Sequence, residues 1–90
     1  MGDEYNGWTN YETWCVNLWL TNEEGDYKHW RARARRLDKA DLAAELKEEV
    51  SAGCDEIELP GMMRDLLNAS LSEVDWYEVA AAFIDEVKEG

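Results

Sequence analysis

The 90-residue chain carries 21 aspartates and glutamates, a single histidine (His29) and two cysteines, Cys15 and Cys54. Carboxylate chemistry is therefore what it could supply most readily. Two carboxyl groups of separated acidity can hydrolyse a glycosidic bond, one as acid and the other as base or nucleophile. Among so many acids, no spacing singles out such a pair. The segments Asn22-Glu23-Glu24-Gly25-Asp26 and Asp55-Glu56-Ile57-Glu58 are rich in oxygen ligands. Neither has the D-x-D-x-D-G order with a glutamate at the twelfth position that a calcium loop uses. His29 follows Lys28 and precedes Arg31 and Arg33, and their charge repels a divalent cation. Cys15 lies in an apolar run, where a thiol behaves as a small hydrophobe. Cys54 follows Gly53 beside acids, not beside the cations that activate a thiolate. No glycine-rich phosphate loop, H-E-x-x-H or G-x-S-x-G is present. The expectation is a protein that is not an enzyme, with no catalytic residue, no metal and no cofactor.

The charge is large and segregated. The net charge is −12. A polyanionic ligand needs a basic footprint, so neither nucleic acid nor an anionic membrane surface is the default partner. Residues 1–26 carry −6, residues 27–39 carry +5, and residues 40–90 carry −11. Two acidic runs have helical spacing: Asp41, Glu45, Glu48 and Glu49, then Asp75, Glu78, Asp85, Glu86 and Glu89. Like charges at i, i+4, such as Asp41/Glu45 and Glu45/Glu49, cost roughly 0.2–0.5 kcal/mol each. Lys47 and Lys88 are the bases within those two helices. Ordinary solvated helices mix the signs. One reading is a solubilising surface. The sharper reading is an array that imitates phosphates, since side chains at i, i+3 and i, i+4 stand ~5–6 Å apart at Cβ. On that reading the partner-binding residues are Asp41, Glu45, Glu48, Glu49, Asp75, Glu78, Asp85 and Glu86.

The basic run has its own alternatives. Lys28, Arg31, Arg35 and Lys39 line one side of a helix, with Arg33 and Arg36 on its flanks. They could bind a nucleic-acid strand beside aromatic side chains. They could instead pair with the acidic helices, in the same chain or in a second copy. Tyr27 and Trp30 fall on the opposite, inner stripe, which favours pairing.

Helices must position all of these groups. One proline, Pro60, and no strand-type alternation leave helical spacing as the dominant pattern. The first helix spans about Asn10 to Leu20. Thr9 with Glu12 has capping-box spacing, and Asn10 is the alternative cap. It is apolar nearly all round, which predicts a central element or a dimer interface. The second runs from about Glu24 to Asp38 with Tyr27, Trp30, Ala34 and Leu37 inward. The third runs from about Lys39 to Ala52, capped by Asp38 and ended by Gly53, with Leu42, Leu46 and Val50 inward. The fourth opens at Pro60 and carries Met62, Met63, Leu66 and Leu67. The fifth follows Ser72, with Asp75 at cap spacing and Trp76, Tyr77, Ala80, Phe83, Ile84 and Val87 inward. The expected fold is all-α, a compact single domain over residues 1–90, with four to five short helices around a tryptophan-rich core.

The segment Tyr5-Asn6-Gly7-Trp8-Thr9-Asn10-Tyr11-Glu12-Thr13-Trp14, followed by Val16, Leu18, Trp19 and Asn22-Glu23-Glu24-Gly25, resembles a family of short proteins from bacteriophages and mobile elements. Their pattern is N-x-E-T-W, an apolar helix ending in L-W, then an acidic turn. Val74-Asp75-Trp76-Tyr77-Glu78-Val79-Ala80 is similar to the same family's C-terminal helix. The motif carries no catalytic residue. It reads structurally, with Trp8, Trp14 and Trp19 docking on Trp30 and Trp76, and Asn10, Glu12 and Thr13 setting the helix start.

The resemblance implies a phage-type inhibitor of host defence, anti-CRISPR or anti-restriction. Its partner would be a host nucleic-acid-binding complex, a CRISPR effector first, engaged by DNA mimicry without direct contact to nucleic acid. The alternative is a homo-oligomeric structural or regulatory module in which the basic stripe of one copy meets the acidic stripe of another. The host cytoplasm is the expected compartment. No apolar run reaches the ~18 residues of a membrane span. Met1-Gly2-Asp3-Glu4 is too acidic for a secretory leader, and Asn6 stands where myristoylation after Gly2 needs serine or threonine.

Overall fold

A computed structural model describes the chain from Tyr5 to Glu89. The acidic start Met1–Glu4, with Gly2, lies outside the described residues, as do the side chains of Asp55 and Glu89. The fold is all-α. Five helices follow one another: α1 (Tyr11–Asn22), α2 (Glu24–Ala34), α3 (Lys39–Asp55), α4 (Gly61–Ser72) and α5 (Trp76–Glu89).

Asn10 starts α1. It is extended, at φ −157° and ψ 174°, and its side chain accepts the Thr13 N–H at 2.9 Å. Of the two caps that the sequence allows, this is the one used. Just before it, Asn6 and Gly7 have φ of 49° and 88°, and the Tyr5 and Trp8 backbones exchange two hydrogen bonds of 2.8 Å. Both left-handed residues of this tight turn are the types that tolerate such φ. The turn lays Tyr5 against Tyr11 and Trp14, with ring centroids 5.1 and 4.8 Å away.

The core lies where α2, α3 and α5 meet. Trp30 and Ala34 come from α2, Leu42, Ala43 and Leu46 from α3, and Trp76, Val79, Ala80 and Phe83 from α5; Val74 closes the end. These repeat at i, i+3 and i+4, so each helix turns one apolar stripe inward. Phe83, Leu42, Leu46 and Val79 are the largest wholly enclosed apolar side chains.

Several expectations need correction. The first helix is not central: Thr13 is its one buried residue, and α1 lies across α2 and α5. Trp19 is 64% exposed, and Trp14 packs with Tyr5 and Tyr11, so the three N-terminal tryptophans do not build the core. Trp30 and Trp76 are the buried pair. Tyr77 is exposed, and Val79 takes an inward place instead. α2 stops at Ala34, four residues early, because Asp38 must be extended (φ −78°, ψ 176°) to cap α3. A turn over 35–37, held by Arg36 and Leu37 N–H groups on the Arg33 carbonyl, makes that change of direction. α3 passes through Gly53 to Asp55. Glycine ends a helix where φ turns positive, and among the described glycines only Gly7 has positive φ. Pro60 precedes α4 as its cap residue.

Candidate functional site

The eight candidate carboxylates divide according to what each one touches. Asp75 and Glu78 hold the fold together. Asp75 Oδ1 accepts the Glu78 N–H at 3.1 Å and caps α5. Glu78 Oε1 accepts the Thr9 N–H at 3.0 Å, tying α5 to the entry of α1. A cap of this kind contributes about 0.5–2 kcal/mol.

Glu45 and Glu86 face α2. Glu45 receives two hydrogen bonds from Arg33, Nε at 2.9 Å and Nη2 at 2.7 Å. This bidentate fork is the strong geometry for a guanidinium and a carboxylate. The hydrogen bond from Arg33 holds the Glu45 carboxyl below the usual carboxylate range, against a smaller opposing effect of burial. The same bond raises Arg33 further above its ordinary value. Glu86 stands 3.9 Å from Arg31 Nε, and the Arg31 guanidinium lies 5.4 Å from the centre of the Tyr27 ring, within cation–π range.

The other four are differently placed. Glu49 is exposed and lies 3.8 Å from His29 Nε2, an ion pair only when the imidazole is protonated. Asp85 lines a cleft of about 800 Å³ that also takes Arg35, Lys39 and Lys88 in its wall, so cations offset its field. Asp41 and Glu48 are exposed on α3. Their carboxylates form no ion pair among the described residues. Glu56, the exposed residue that caps the C-terminus of α3, continues the acidic line, and exposed Glu58 follows it outside the helix.

The basic run is largely spent inside the chain. Lys28 pairs with Glu24 at 3.0 Å, Arg31 approaches Glu86, Arg33 grips Glu45, and Lys39 lies 5.9 Å over the Tyr77 ring. Trp30 is buried, so no base can stack on it, and Tyr27 packs against the core with the Arg31 guanidinium over its ring. Pairing within the chain is thus the arrangement adopted by three of the cations.

Cys15 and Cys54 are free and half-buried. Among the described residues, no three histidine, cysteine, aspartate or glutamate side chains gather as a metal site. No helix of the described residues is long and apolar enough to cross a membrane.

A second surface escaped the sequence reading. Met62, Met63 and Leu66 on α4 are 71%, 52% and 62% exposed, and α4 buries no residue. Periodicity marks such a face as apolar but does not say whether a neighbour covers it.

The family of unknown function DUF7249 matches residues 1–89. No curated protein and no solved structure matches the chain.

Proposed function

We propose that this chain, which belongs to the DUF7249 family, is a non-catalytic inhibitor that occupies a lysine- and arginine-lined nucleic-acid site on a host defence complex. A CRISPR effector is the first target. The resemblance of the N-x-E-T-W segment to phage and mobile-element proteins supplies the setting.

The observation that carries the reading is the line Asp41, Glu48 and Glu49 on α3. All three are exposed and, among the described residues, none forms an ion pair with a lysine or arginine. Eight residue steps of helix rise ~12 Å, so three charges give one per ~6 Å of axis. A DNA strand has one per ~3.4 Å. This line thus has roughly half the charge density of one strand, and Glu56 at the end of α3 extends it. Such a field speeds encounter with a cationic groove and weakens as salt rises. Asp75 and Glu78 serve the fold, Glu45 is held by Arg33 and Glu86 lies within ion-pair distance of Arg31, so they contribute to the field more than to contact.

The test is displacement of labelled target DNA from a purified CRISPR effector, followed by fluorescence anisotropy. The wild type displaces DNA, less well at higher salt. The triple reversal Asp41→Lys/Glu48→Lys/Glu49→Lys weakens displacement by at least about tenfold, the equivalent of ~1.4 kcal/mol, with an unchanged helical spectrum. Displacement that survives the reversal, or no displacement by the wild type, overturns the proposal.

A further inference from the structure

We infer that the apolar face of α4 is where two copies of this chain meet, an interface separate from the acidic surface and independent of what that surface binds. Met62, Met63 and Leu66 are exposed and stand at i, i+1 and i+4, hence on one side of the helix. Leu67 and Leu71 are half-buried and line an open groove with Cys15 and Val16 of α1, and Leu71 packs against the core, so α4 is held through Leu71 and is bare along its other side. An isolated helix of 12 residues is marginal in water. Its exposed apolar face therefore calls for a cover.

Charge says which cover. Residues 59–72 hold one base, Arg64, and one acid, Asp65, and are neutral, whereas the chain as a whole is −12. A cationic partner is drawn to the carboxylates, not to this helix. A second copy is repelled wherever carboxylates are exposed, and meets least repulsion at α4. Two-fold pairing then lets each α4 cover the other with the same patch. Methionine suits the contact because its flexible side chain fills irregular gaps. The pairing also differs from a contact of basic stripe with acidic stripe, whose arginines Arg31 and Arg33 are already engaged inside the chain.

Sedimentation equilibrium of the full chain at ~1–100 µM, in low and high salt, tests this. A dimer is expected, and it tightens as salt rises, because screening reduces the repulsion between two acidic copies. Met62→Glu/Leu66→Glu weakens it by at least about tenfold, as loss of a central apolar anchor does. Both positions are exposed, and an acid at position 62 in the first turn suits the helix dipole, so the far-UV spectrum stays helical. Trp19→Glu, an equally exposed apolar site on α1, leaves the dimer intact. A wild-type monomer at ~100 µM overturns the inference. So does a dimer that persists in Met62→Glu/Leu66→Glu, is lost in Trp19→Glu, or dissociates as salt rises.

Discussion

Thr13 Oγ1 accepts the backbone N–H of Asp75 at 2.9 Å, joining the first turn of α1 to the residue before α5 across 62 positions of sequence. The same hydroxyl donates to Asn10 Oδ1 at 2.6 Å, and Asn10 Nδ2 donates to the Glu73 carbonyl at 2.6 Å. Thr13 is wholly enclosed and is the buried polar side chain among the described residues. The asparagine and threonine of the N-x-E-T-W motif thus form a polar clasp that fixes α1 against the α4–α5 connection.

Thr13→Val keeps the shape and removes the clasp. It leaves the Asp75 N–H without its acceptor, which costs about 1–3 kcal/mol. Urea unfolding should show that loss, while Thr13→Ser, which keeps the hydroxyl, stays near the wild type. Equal stability of the valine and serine variants would refute the role of the hydroxyl.

Asn10→Ala and Asn10→Asp separate its two bonds. Alanine loses both the cap and the bond to Glu73, and should destabilise by at least the ~0.5–2 kcal/mol of a lost cap. Aspartate caps equally well but cannot donate to the Glu73 carbonyl. Thermal unfolding should therefore place it between the two. An aspartate variant as unstable as alanine would mean the cap contributes nothing.

Two aromatic substitutions should part widely. Phe83→Ala empties an enclosed site between α2, α3 and α5 and should cost ~3–5 kcal/mol. Trp19→Ala removes a side chain that is 64% exposed and should change stability by no more than ~0.5 kcal/mol. Denaturant midpoints at equal slope read both. A Trp19 effect as large as that of Phe83 would contradict the placement of α1 at the edge of the core.

Acid should loosen the α2–α3 contact. The folded state holds Glu45 below its unfolded acidity through Arg33. Its contribution is therefore present above the ordinary glutamate range and is lost as pH falls through that range toward the folded value. Glu45→Gln should flatten this acid-side fall in unfolding free energy while leaving the slope near neutrality alone. An identical pH profile in the variant would show that the pair does not stabilise the folded state.

The inner stripes of α2, α3 and α5 were legible because each obeys a helical period and contains residues that water strongly disfavours, such as Trp30, Leu46 and Phe83. Asp38 as the cap of α3 was equally legible, since its short side chain can bond only to the backbone just ahead of it. The Asn6-Gly7 pair is an equally local turn signal. The surroundings of α1 and α4 could not be read from their pattern, for a shared reason. Their apolar residues show a preference to be covered, but coverage depends on which elements arrive beside them, and composition does not encode that. The acidic runs were visible in the sequence as helical spacing. Their division into capping residues (Asp75, Glu78), partners of arginine (Glu45, Glu86) and unpaired carboxylates (Asp41, Glu48) came only with tertiary structure. Local periodicity and capping chemistry act within a few residues along the chain. Whether a charge is paired or an apolar face is bare depends on groups distant in sequence that folding brings within a few ångströms.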